Sequence, residues 1–159
     1  MATEIERKFL VRDNSWKEGA DAGTLFRQGY LIGSEQASVR IRIEGQQANI
    51  NIKSATLGIR RSEFEYPIPL ADAQTLLDDL CEKPLIEKTR FLVTHAGHLW
   101  EVDVFSGDNQ GLVVAEVELQ HEDEAFEAPA WLGKEVSDDP RYYNVCLVKE
   151  PYSKWKGQG

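Results

Sequence analysis

The chain has 159 residues, enough for one domain with a real core and too few for two ordinary ones, so residues 1–159 are read as a single domain. Hydrophobic residues make up 42% and charged residues 28%, which excludes a disordered polar chain, and 27 acids against 18 bases leave a formal charge of -9 that opposes nonspecific binding to nucleic acid or to an anionic membrane. Cys81 and Cys146 are too few for a disulfide scaffold or a four-thiolate zinc site and are expected as buried thiols.

The opening Met1-Ala-Thr-Glu-Ile-Glu-Arg-Lys-Phe-Leu10 has charges where a secretion signal needs an apolar run, so cytoplasmic residence is the expectation. From there the dominant period is two, in segments bounded by Gly, Asn, Asp and Ser. Strands are predicted at about 4–12, 24–33, 37–45, 47–54 and 58–68. Leu70, Ala73, Leu76, Leu77 and Leu80 then recur at helical spacing, which predicts a helix over about 70–82 on the outside of the sheet. Three further strands follow at about 86–95, 98–105 and 112–120, for eight in all. Residues 121–150 read as a helical segment whose last helix, over about 139–149, starts at Ser137-Asp-Asp-Pro140, and 151–159 as a frayed tail.

One strand parity is apolar, as in Val39, Ile41 and Ile43, or Val113, Ala115, Val117 and Leu119. The other is ionised on at least seven strands: Glu4, Glu6 and Lys8; Arg40 and Arg42; Lys53; Glu63 and Glu65; Lys88 and Arg90; Glu101 and Asp103; Glu116 and Glu118. A solvated face is the ordinary reading of any one such strand. Seven together are different, because same-sign neighbours about 7 Å apart on a strand repel unless a counter-ion sits between them. The acidic pairs offer hard oxygen ligands suited to Mg²⁺ or Mn²⁺, and the basic set offers donors suited to phosphate oxygens. A polyphosphate bridged by a divalent metal satisfies both, and eight strands closed into a barrel with the charged parity inward would hold it.

Glu4-Ile-Glu-Arg-Lys8 is a Glu-x-Glu-x-Lys motif on the first predicted strand. With Arg40-Ile-Arg42, Ile52-Lys53, Glu63-Phe-Glu65, Glu87-Lys-Thr-Arg90, Glu101-Val-Asp103 and Glu116-Val-Glu118 following in order over residues 4–118, the chain resembles the CYTH, or triphosphate tunnel metalloenzyme, superfamily. That resemblance implies a closed eight-stranded antiparallel barrel with a few helices packed outside, holding a triphosphate beside divalent metal, Mg²⁺ or Mn²⁺. It implies metal ligands at Glu4, Glu6, Glu116 and Glu118, with Asp103 a further ligand or supporting acid. Phosphate-gripping positions fall on Lys8, Arg40, Arg42, Lys53 and Arg90, and Glu63, Glu65 and Glu101 become supporting acids.

The short bacterial members, which resemble this chain also at Arg27-Gln-Gly-Tyr-Leu31, imply hydrolysis of inorganic tripolyphosphate, with Lys88 and Tyr30 positioning or deprotonating the attacking water. Tyr30 as a packed aromatic and Lys88 as a sixth phosphate clamp are the competing readings of those two residues. Competing functions are a thiamine or nucleoside triphosphatase, a class IV type adenylate cyclase, and a module that binds organic phosphate without turning it over. The only partner expected in each case is a small phosphorylated molecule, with no nucleic acid and no membrane. Trp131, Trp155 and the outer apolar parity suit a homodimer, and His95, His98 and His121 read as turn or surface residues.

Overall fold

The computed structural model describes residues 2–34, 36–54 and 59–155. Eight strands, β1 (Ala2–Val11), β2 (Thr24–Gly33), β3 (Ala37–Glu44), β4 (Gln47–Ser54), β5 (Arg60–Pro67), β6 (Ile86–His95), β7 (His98–Phe105) and β8 (Val113–Glu118), form one antiparallel sheet in the order β5-β4-β3-β2-β6-β7-β8-β1. The sheet closes because the first residues of β1 return to β5, Ala2 opposite Glu63 and Ile5 opposite Arg60. All eight expected strands are present, with ends displaced by a few residues. Closure leaves no long free edge among these strands and turns one face of every strand into a lumen.

The far half of β1 pairs with a ninth strand, β9 (Leu132–Glu135), Phe9 opposite Glu135 and Val11 opposite Leu132. β9 lies in a stretch expected to be helical. Four residues, one of them glycine, carry too little periodicity to announce a strand, and pairing with β1 decides the conformation. Arg7 Nε fixes the pairing by donating to Glu135 Oε2 at 2.9 Å.

The outward parity supplies the main core. Ile5 and Phe9 of β1, Trp100 and Val102 of β7, and Ala115 and Val117 of β8 are covered by Trp16 from a 3-10 turn, by Phe126 and by Trp131. Trp131 meets Trp100 edge-on at 5.7 Å and is buried, so it offers no dimer surface. On the opposite wall α1 (Leu70–Asp79) buries Ala73 and Leu77 against Ile41, Ile43 and Ala48, the outer position its apolar spacing predicts. Gly29 lies where a Cβ would stand 2.8 Å from that of Cys81, so a glycine is required for the chain after α1 to approach β2.

At one end the inward parity itself turns apolar, with Tyr30, Ile86, Phe105 and Val114 facing Tyr142, Leu147 and Val148. The helix expected over 139–149 is a 3-10 turn, Pro140–Tyr142, followed by α2 (Asn144–Lys149), broken where Tyr143 is extended. The predicted frayed tail is docked as far as Trp155: Tyr152 N donates to Asn109 Oδ1 at 2.8 Å, and Trp155 stacks edge-on against Tyr142 at 5.1 Å. Trp155 is thereby engaged within the chain, and residues 156–159 lie outside the described set. Cys81 is buried as expected, whereas Cys146, on α2, is only partly buried. Among the described residues no helix is long and apolar enough to cross a membrane.

Candidate active site

Because side chains alternate across each strand, closing the barrel turns the charged parity of the strands toward one cavity of about 370 Å³. Strand register sorts those charges by sign. Glu6 stands opposite Glu118, and Glu116 stands opposite both Lys8 and Glu101. Arg40 and Arg42 on β3 lie opposite Tyr30 and Gln28, and Lys88 lies opposite Phe26. An acidic wall centred on β1 and β8 therefore faces a basic wall from β3 and β6.

On the acidic wall Lys53 Nζ bonds Glu4 Oε1 at 3.1 Å and pairs with Glu63 Oε2 at 3.5 Å. Burial, then the charge of Glu116 and a hydrogen bond with it, then Glu4, push the Glu6 carboxyl well above the usual carboxylate range. Burial followed by Glu4 and Glu63 raises Glu118, with Lys53 opposing. Glu116 goes the other way: burial would raise it, but Lys8, the bond from Glu6, Arg90 and Lys88 outweigh burial and hold it well below. The two carboxyls are thus pushed apart, Glu6 up and Glu116 down, as expected of a hydrogen-bonded pair in one buried site.

The basic wall is built on Asp103 and Phe26. Asp103, almost wholly buried, accepts from Arg90 Nε at 2.8 Å, Arg90 Nη2 at 2.9 Å and Lys88 Nζ at 2.7 Å. Burial pushes Asp103 up, yet Arg90 and Lys88 prevail and its carboxyl stays below the usual range. The guanidinium carbons of Arg42 and Arg90 each lie 4.8 Å from the centroid of the Phe26 ring. Burial, with Arg40 and Arg90 adding, lowers Arg42 to about 9. Burial lowers Lys88 to about 7, Asp103 opposing and Arg90 and Arg42 adding.

The structure brings together Glu4, Glu6, Lys8, Tyr30, Arg40, Arg42, Lys53, Glu63, Glu65, Lys88, Arg90, Glu101, Glu116 and Glu118 around the cavity. Asp103 stands behind the lining, both its oxygens taken by cations. His95 and His98 flank the turn between β6 and β7 and pair with Glu127 and Glu124, and His121 is exposed.

Several lining residues escape the sequence reading. Arg61 shares the parity of Glu63 and Glu65, so the same alternation contained it; its guanidinium carbon lies 5.3 Å from the Tyr143 ring centroid. Phe26, Tyr143 and Asn144 carry no charge pattern, and the last two arrive from the C-terminal segment. Asn144 Oδ1 accepts from Lys88 Nζ and from Gln28 Nε2, each at 3.1 Å, and Gln28 Oε1 accepts from Arg42 Nε at 3.1 Å.

The donor set fits a divalent cation. Glu4, Glu6, Glu116 and Glu118 are hard oxygen donors, and the upward shifts of Glu6 and Glu118 show carboxyls crowded enough for a cation among them to be favoured. Among the described residues no three or more acids, cysteines or histidines are gathered closely enough to hold an ion by themselves. Mg²⁺ usually needs only one or two carboxylates, completing its shell with water and phosphate oxygens. The basic wall fits an anion: Arg40 Nε, a donor on a residue that lines the cavity, is buried without a hydrogen-bond partner among the described residues.

The CYTH domain profile matches residues 2–143. The chain is 46% identical to an inorganic triphosphatase of Acetivibrio thermocellus over 156 residues, 98% of this chain and 99% of that protein. It is 38% identical to an inorganic triphosphatase of Nitrosomonas europaea over 150 residues, 92% and 97% of the two chains. A crystal structure of an inorganic triphosphatase superposes with a TM-score of 0.66 at 35% identity, covering 93% of this chain and 95% of the other. The barrel, its inward charges and these relatives agree: the chain belongs to the CYTH domain family.

Proposed function

We propose that the protein hydrolyses inorganic tripolyphosphate to pyrophosphate and phosphate with the help of a divalent cation, and that residues 1–159 act as one domain. The observation that carries this reading is the single cavity with a basic wall of Arg40, Arg42, Arg90 and Lys88 facing an acidic wall of Glu4, Glu6, Glu116 and Glu118. The names of the two relatives support it. The aromatic residues at the cavity favour a substrate without an organic group. Two guanidiniums lie against Phe26, Lys8 and Arg61 flank Tyr143, and Tyr30 belongs to the apolar cluster at the barrel end. A nucleobase or thiamine ring therefore finds its stacking faces taken.

In this mechanism Arg40, Arg42, Arg90 and Lys8 bind phosphate oxygens and neutralise charge spreading over the transferred phosphoryl group. Lys88, lowered to about 7 chiefly by burial, accepts a proton from the attacking water at neutral pH, and Tyr30, elsewhere in the same lining, helps position that water. Glu4, Glu6, Glu116 and Glu118 would hold Mg²⁺ or Mn²⁺, whose chemistry when bound is to withdraw charge from phosphate oxygens. Asp103 holds Lys88 and Arg90 in place.

Phosphate release from tripolyphosphate, ATP, thiamine triphosphate and pyrophosphate, with Mg²⁺, Mn²⁺ or chelator, tests the reading. Tripolyphosphate should be cleaved far faster than the others and only with metal, and Glu116→Ala should abolish the rate. Equal rates on ATP would overturn the inorganic assignment, and tight tripolyphosphate binding without phosphate release would leave a binding module.

A further inference from the structure

A lysine that accepts a proton must aim its lone pair as well as be neutral. The ammonium of Lys88 has three tetrahedral N–H positions, and free rotation about Cε–Nζ would scatter them. Two are engaged: one by Asp103 Oδ2 at 2.7 Å, on β7, and one by Asn144 Oδ1 at 3.1 Å, at the start of α2. The third has no hydrogen-bond partner among the described residues, and Lys88 lines the cavity. When the amine is neutral its two N–H groups satisfy the same two acceptors, and the lone pair takes the third position.

The amide orientations are forced. Arg42 only donates, so Gln28 presents Oε1 to its Nε and turns Nε2 toward Asn144. Asn144 therefore faces Gln28 with Oδ1, and that same oxygen accepts from Lys88 Nζ. The polarity of the chain Lys88, Asn144, Gln28, Arg42 is thus set by the guanidinium at its far end, whatever the charge on Lys88, and both amides have one usable orientation. α2 is seated by Leu147 and Val148 in the apolar end of the barrel, which fixes where Asn144 enters.

We propose that Asn144 is a positioning residue that, with Asp103, orients the Lys88 amine so that its third tetrahedral position is presented to the water attacking the bound phosphate. This rests on the reading of Lys88 as proton acceptor. Gln28 orients Asn144 in turn, which ties the aim of the amine to the placement of Arg42.

The test is steady-state hydrolysis of tripolyphosphate by Asn144→Leu, close in volume but without an acceptor, and by Asn144→Asp, which keeps one. The kcat of each is taken at the plateau of its own pH profile. Asn144→Leu should lose about tenfold or more in kcat with KM little changed, the mark of an interaction needed in the transition state. Asn144→Asp should keep kcat within about threefold and raise KM, since it adds a negative charge beside a polyanion. In protein already carrying Lys88→Ala, Asn144→Leu should cost nothing further, because the two act as a unit. An unchanged kcat in Asn144→Leu, an equal loss in both variants, or an additive loss on Lys88→Ala each overturns the proposal. Full activity of Lys88→Ala alone would instead overturn the proton-acceptor reading on which it rests. Melting temperatures of the variants separate these outcomes from misfolding.

Discussion

Burial begins the upward shift of Glu118, and the charges of Glu4 and Glu63 add to it. Like charges crowded on neighbouring strands destabilise a sheet by about 0.2–1 kcal/mol, and the exposure of Glu118 to solvent keeps the effect at the low end. Glu118→Gln should therefore raise the melting temperature of the metal-free protein by roughly 1–3 °C while weakening its stabilisation by Mn²⁺. A thermal melt in chelator and in Mn²⁺ reads both, and a lower metal-free melting temperature would show that Glu118 is not under like-charge strain. The sequence exposed this strain because repulsion needs only identity and spacing, and Glu116-Val-Glu118 states both. Asn144 and Gln28 were illegible for the converse reason. An amide has no sign to clash, and its meaning comes from the cation it meets across 56 residues of chain.

At the level of elements, period decides what can be read. The eight barrel strands and α1 carry their own alternation, and each is found where the pattern puts it. β9 and the break at Tyr143 are imposed from outside, by pairing with β1 and by seating in the barrel end, so no local pattern announces them. α1 lies on the outer wall, and its Leu77 is fully buried against Ile41 and its neighbours. Leu77→Ala should cost about 2–5 kcal/mol and lower the melting temperature by roughly 5–15 °C. The kcat of the folded fraction at 25 °C should stay unchanged, since the side chain touches no lumen residue. A fall in kcat without loss of folded protein would mean that α1 sets the register of Arg40 and Arg42 through β3.

For the whole molecule, two sets of carboxyls give opposite responses to pH. Glu6, Glu101 and Glu118 titrate above the ordinary carboxylate range in the metal-free fold, so the folded chain binds protons there that the unfolded chain does not. Stability therefore rises as pH falls through that interval. Asp103, Glu116 and Glu135 titrate below the range, so the stability they contribute is present at neutral pH and is lost once pH falls through their folded values. The metal-free protein should then be most stable on the acid side of neutrality, an effect that relief of its -9 charge reinforces. Cation binding requires the same carboxylates deprotonated, so metal competes with protons for one set of oxygens. The gain in melting temperature on adding Mn²⁺ should accordingly grow from about pH 5 to pH 8, while the chelated protein loses stability over the same interval. Melts at half-unit pH steps with and without metal measure both slopes. A gain independent of pH would place the metal away from these acids, because no cation could displace their protons without making its affinity follow them.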